Sequence, residues 1–498
     1  MKIKTKICPP LARETTSFSN LSTGDGCVDH VVSTITTVAR NLLQQSKYVE
    51  ISRGTATNVR NILPYLLSLG LLTNNNLNYP TNHKKDVQKH VETTGPFKTW
   101  YRWKEIDFAF ESDFDRISAI ENGGFIPENN LPLGLEVYKD RLFISLPKWK
   151  PGVPASLTVL PKVPVKRSPL LVPYPNWNWH APGSCSRITS VFRMQADVCG
   201  RLWVLDSGQI DVTIGPKQIC PPQVLIFDLH TDKLLHRYEL PKEFIKEDGL
   251  FSNIAVDIRH SQCDEAHAYL ADVWRFGLVV YSLKTNRSWR ITDHLFFPEP
   301  LAAAYNLNGL EFEWTDGLFG LALAPYDQKT RDRLLYFHPH PMSSFRQFYT
   351  KTSVILNETG WQDYKDAFKV VGESRGPFGH VSASGMDRNG ILFYNMVTRN
   401  AVGCWDSKKA YKKSNLYLIA KNNNTLVFPN DLKLDQEPRQ SVWILSNRLP
   451  IYLYRKLNKK QYNFRVMSAY ADEAVEDTVC DTKVQFPGSY VDVTEDCY

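Results

Sequence analysis

No stretch of about 18 consecutive apolar residues occurs in this 498-residue sequence, so no membrane-spanning helix is expected. No run of five or more Lys or Arg occurs either, although the formal net charge is +7. Without such a block there is no phosphate-tracking patch, which argues against a nucleic-acid partner. Cysteine is sparse at nine residues, and none form a CxxC pair. That excludes a disulfide-dense scaffold and argues against zinc or thioredoxin-like chemistry, while leaving room for a few structural bridges. GxSxG, HExxH, a glycine-rich GxGxxG after a strand and a phosphate-binding loop are all missing. Hydrolase, metalloprotease and nucleotide readings therefore lack their usual groups, and neither cofactor nor metal is expected.

What is present is an ordinary globular composition, 43% hydrophobic, 12% aromatic and 22% charged, whose aromatic content suits strands. Residues 1–95 are rich in Asn, Thr, Ser and Lys, lack strand alternation, and read as a largely disordered extension. Met1 opens a basic stretch, but Cys8, Pro9 and Pro10 stand where a signal peptide needs its apolar core. The segment Ile62 to Leu72, preceded by Arg60, has the composition of such a core; it reads either as a signal segment behind an atypical leader or as a short amphipathic helix. Sequons at Asn20, Asn286, Asn357 and Asn423 are usable only along the secretory route.

From about Trp103 onward the sequence becomes short apolar runs separated by Asp, Asn, Gly and Pro, with a helical pattern only around Asp113 to Asn122. Stacking these runs shows self-similarity. Six segments, 133–146, 188–207, 253–273, 317–339, 380–396 and 431–447, each give a strand, a polar turn and a second strand. Third strands are expected at 224–229, 277–282, 401–405 and 450–454, with a fourth at 234–240. Strands near 103–110 and 462–468 would complete the terminal modules. Radial modules leave only short sheet edges, so the expectation is an all-β, six-bladed β-propeller over 96–470 with a tail at 471–498. A pair of stacked sheets is the competing arrangement.

The runs Pro127 to Glu136, Asp140 to Trp149, Cys199 to Gly208, Asn253 to Asp257 and Ala401 to Trp405 resemble the yellow / major royal jelly protein family. The resemblance extends from about Trp103 to Val466. It implies an extracellular propeller; relatives include cuticle-melanisation factors, proteins credited with dopachrome conversion, nutritional proteins, and salivary proteins that bind biogenic amines in the channel. Cys185, Cys199, Cys220, Cys263 and Cys404 sit where yellow-type members carry theirs. The first 95 residues match nothing in the family.

Aligning the second strand of each module gives a column of Leu146, Asp206, Asp272, His338, Asn395 and Ser446, polar at five of six positions. Those strand ends share a face with the starts of the innermost strands, at Ser190, Asn253, Asp316, His380 and Asp431. Together they are candidates to line one mouth of the channel around a small aromatic amine or catechol-derived ligand. The alternative is that strand-end Asp, Asn and Ser merely bond neighbouring backbone amides. Asn395 is favoured through the resemblance to amine binders around Phe393; Asp206 or Asp272 would pair an ammonium, and Phe393, Trp274 or Phe378 would stack on a ring. His338 and His380 are the candidate acid–base pair for dopachrome conversion. A calcium-dependent hydrolase using Glu136, Asn253 or Asp206 is the reading from a different class, and a purely structural or storage role is a third. Cys199 and Cys263 occupy equivalent hairpins of successive modules, and Cys185 and Cys220 fall at one face of a single module, so a bridge within each pair is geometrically sensible, although sequence alone leaves the connectivity open. Cys8, Cys27, Cys480 and Cys497 lie in the tails.

Overall fold

In the structure, a computed structural model, residues 92–246, 248–339, 343–364 and 366–483 are described. The segment 62–72, the sequon at Asn20, and Cys8, Cys27 and Cys497 lie outside them.

Five antiparallel sheets of four strands and one of five form six blades. The inner strands are Gly134–Tyr138, Val191–Ala196, Phe251–Asp257, Leu318–Leu323, Val381–Met386 and Pro429–Leu434. Each packs against the next, and the last returns to the first, so the ring is closed. Second strands such as Arg201–Asp206 are buried along their whole length, because each lies between neighbouring blades; this explains why they read as continuous apolar runs. Outer strands are largely part-exposed instead, as Leu234–Glu239 is, with Tyr238 its one buried residue.

Closure falls in the sixth blade. Phe97–Trp103 pairs there with Phe464–Tyr470, from Lys98 opposite Ser468 to Trp103 opposite Phe464. The expected strand near 103–110 is thus Phe97–Trp103, whose alternation buries Phe97, Tyr101 and Trp103. The expected strand 450–454 is a helical turn, Leu449–Tyr454. Pro450 occupies its first turn, where a missing N–H costs nothing, and the Asn447 side chain accepts the Leu449 N–H at 3.2 Å. The third strand of that blade is Phe464–Tyr470. The expected helix is present as Asp113–Glu121, capped by Ser112.

Side chains lock blade to blade. Ser145 donates to the Phe192 carbonyl at 2.7 Å, Asn253 to that of Phe319 at 2.8 Å, Ser382 to that of Pro429 at 2.7 Å, and Asn430 to that of Leu133 at 2.7 Å. Disulfides join Cys185 to Cys220 within the second blade and Cys199 to Cys263 between the second and third. A third joins Cys404 to Cys480, placed in the tail by sequence. Ala471, Ala474, Val475 and Cys480 are buried against the fifth and sixth blades, so packed chain continues past residue 470.

Candidate functional site

In five blades the inner strand carries a register shift near its start: between Val191 and Arg193, Phe251 and Asn253, Leu318 and Gly320, Val381 and Ser384, and Pro429 and Asp431. Such a bulge re-aims the side chains on either side of it. Downstream of the shift, Asn253 and Asp431 line a polar cavity of about 130 Å³ inside the channel, with Glu136, Gln195, Ser384 and Lys433. At the shift itself, the unpaired residues Phe192, Phe319 and Asn430 line a different cavity of about 290 Å³ at the channel mouth. Arg193, fully buried, pairs with Asp431 and lies 5.2 Å over the Phe319 ring, one residue of each cavity, and so stands between the two.

The mouth cavity is walled by aromatic side chains. Trp149 meets Phe192 edge to face at 5.4 Å, and Phe192 meets Phe319 likewise at 6.1 Å. Trp274 comes from the turn between the second and third strands of the third blade, Trp314 from just after the inserted hairpin Ala304–Leu307 and Leu310–Glu313, and Tyr454 from the helical turn. The Trp314 indole N–H donates to the Tyr454 hydroxyl, joining two of the insertions that build the rim. Asp316 is the one carboxylate among the lining residues. It accepts a hydrogen bond from Trp274, and enclosure by apolar groups pushes its pKa up to about 7. A carboxyl that titrates near neutrality among aromatic faces can pair an ammonium group or exchange a proton with a bound molecule.

Of the residues expected to form one ring, only Asp316 lines this cavity, and Asn253 and Asp431 line the channel behind it. Asp206 is fully buried and accepts the backbone N–H groups of Thr189 and Ser190, each at 2.7 Å, and of Gly208 at 3.0 Å. Asp272 accepts from Leu250 and is paired with Arg290 at 2.8 Å. Ser446 donates to the Thr425 carbonyl, and Asn395 to that of Asp431 at 2.9 Å. These four act as backbone ties at the strand ends. His338 packs on Gly320, where a Cβ would stand 1.7 Å from the imidazole, and burial drives its pKa down to about 3. His380 is held by the Ala302 carbonyl and the Thr398 hydroxyl, each at 3.1 Å, with its pKa lowered to about 4 by burial. Neither histidine lines the mouth cavity.

Among the aromatic candidates, Trp274 lines the cavity, Phe393 is buried within the blades and Phe378 is surface-exposed. Glu136 pairs with Lys433 at 3.6 Å, and burial raises its pKa to about 6. Among the described residues no three His, Cys, Asp or Glu side chains are grouped to hold a metal ion. Asn286, Asn357 and Asn423 are all exposed. Sequence reasoning missed Trp149, Phe192, Trp314, Phe319, Asn430 and Tyr454, because it followed polar columns while the cavity is mostly apolar.

These features define a class: a six-bladed propeller with an aromatic, single-carboxylate pocket at one mouth of its channel. A family model described as major royal jelly protein matches residues 189–480. The chain is 43% identical over 423 residues to dopaminechrome tautomerase of Drosophila melanogaster, covering 83% of this chain and 89% of that one. It is 40% identical to protein yellow of Drosophila subobscura, covering 77% of this chain and 67% of that one. Protein yellow of Drosophila melanogaster is 39% identical over the same share of this chain and 70% of its own. The chain belongs to the yellow / major royal jelly protein family.

Proposed function

We propose that this propeller binds a small aromatic amine or catechol-derived molecule in the mouth cavity and acts in cuticle pigmentation or a related extracellular role. The observation that carries the reading is the Asp316 carboxylate set among Trp149, Trp274, Trp314 and Phe319. An ammonium paired there escapes water in company with its counter-ion, and the rings supply area and quadrupole for an aromatic body. Three disulfides support an oxidising compartment, and no helix among the described residues is long and apolar enough to cross a membrane. Calorimetry with dopamine or serotonin tests it. Because Asp316 must be ionised to pair an amine and releases its proton at about 7, affinity rises between pH 6 and pH 8. Asp316→Asn weakens it by about tenfold or more. Affinity indifferent to both pH and that substitution would contradict the reading.

A second reading is conversion of an aminochrome, favoured by the 43% identity to dopaminechrome tautomerase. Such an isomerisation takes one proton from each of the two saturated ring carbons and delivers one to each quinone oxygen, and a carboxyl with a pKa of about 7 suits proton relay in both steps. Loss of dopachrome absorbance with the wild-type chain, abolished by Asp316→Asn, separates conversion from binding alone.

A further inference from the structure

Asn430 sits one residue into the inner strand of the sixth blade, only 3% exposed, and lines the mouth cavity. Its amide nitrogen donates to the Leu133 carbonyl at 2.7 Å. That carbonyl can only accept, so the nitrogen is fixed on the Leu133 side and Oδ1 is turned away from it. The backbone carbonyl of Asn430 is separately engaged by the Arg193 guanidinium at 3.0 Å. Oδ1 has no protein partner among the described residues, yet it is not one of the wholly occluded unpaired atoms. It is therefore an acceptor without a protein partner, on an almost wholly buried residue, that opens on the cavity space, and a bound molecule must supply it a donor or leave it unmatched.

The position of this atom relative to Asp316 matters. In the shared register Asn430 stands level with Phe319, and Asp316 lies three residues before Phe319, in the segment that leads into its strand. Asp316 and Asn430 line the same small cavity from different blades, so one ligand can reach both. Trp149 and Phe319 line the cavity along with both.

We infer that Asn430 is a specificity-determining residue, whose Oδ1 accepts an O–H on the aromatic ring of a ligand that points its amine at Asp316. The inference rests on the proposed amine-binding reading of this cavity. It narrows the ligand class to hydroxylated aromatic amines, because a bare ring leaves Oδ1 buried against carbon.

Calorimetry on the intact chain with dopamine, tyramine and phenethylamine tests it. The three share the amine and differ in ring hydroxyls. The expected result is binding of dopamine or tyramine about tenfold or more tighter than phenethylamine, the scale of one buried acceptor left unmatched. In Asn430→Ala, checked for a cooperative thermal transition, that ratio falls towards one. Equal affinities in the wild-type chain overturn the inference while leaving the amine site standing, and this arm needs no variant to fold. A wild-type preference that survives Asn430→Ala places hydroxyl recognition on another group and also overturns it. If none of the three amines binds, the amine-binding reading fails and the inference falls with it.

Discussion

At the scale of single residues, Asp316 sets binding against stability. Its carboxyl is shielded from water and titrates at about 7 in the folded protein, against 3.8 as its ordinary value. Between those two values the folded chain holds a proton that the unfolded chain has released, so stability falls as pH rises from about 4 to about 7. Asp316→Asn removes that cost while keeping an acceptor for Trp274. Thermal melts should show the variant more stable than wild type, with the margin larger at pH 8 than at pH 5; an equal margin at both would mean that the carboxyl is not strained by burial. The histidines have the opposite sign. With pKa values lowered to about 3 and about 4, His338 and His380 stay neutral in the fold while the unfolded chain charges them, so they cost stability as pH drops below about 6.5. Sequence position alone put His338 in one column with Asp206 and Asp272, and His380 among the inner-strand starts with Asp316 and Asp431. What it does not contain is that Gly320 opens a slot that takes the His338 ring out of the channel.

At the scale of elements, the two-strand repeat is legible because second strands pressed between blades must be apolar on both faces, as Trp203, Leu205, Tyr269 and Leu270 are. The bulge near the start of the inner strands is not legible. It depends on pairing with a partner strand, and it decides that Phe192, Phe319 and Asn430 face one cavity while Asn253 and Asp431 face another. The run at 450–454 misleads for a local reason: its apolar residues suit either period, and Pro450 tips it to a helical turn. That turn supplies Tyr454 to the rim, so the same ambiguity hid part of the site. The Cys404–Cys480 bridge ties the segment after the last strand to the fifth blade across 76 residues. Replacing both cysteines by alanine should lower the unfolding free energy by about 2–4 kcal/mol in urea titrations. Phe97→Ala, which empties a fully buried position on the closing strand, should cost about 3–5 kcal/mol by the same measurement. A loss under 1 kcal/mol at Phe97 would mean that the closing strand does not carry ring stability.

At the scale of the whole molecule, ring closure makes a site from residues as far apart in sequence as Leu133, Trp149, Phe319 and Tyr454. Six inner strands begin at the same mouth, so three short insertions, the 209–218 and 304–313 hairpins and the turn at 449–454, meet above one hole. Below them the ion pairs Arg193–Asp431 and Glu136–Lys433 set paired charge in the channel, and Arg193 stands between the mouth cavity and the polar cavity behind it. The most direct measurement is a crystal structure of the chain grown with dopamine at pH 8. Ligand density between Trp149 and Phe319, with its nitrogen within hydrogen-bond reach of Asp316, is the predicted result. An empty mouth cavity in crystals that carry dopamine elsewhere on the ring would contradict it.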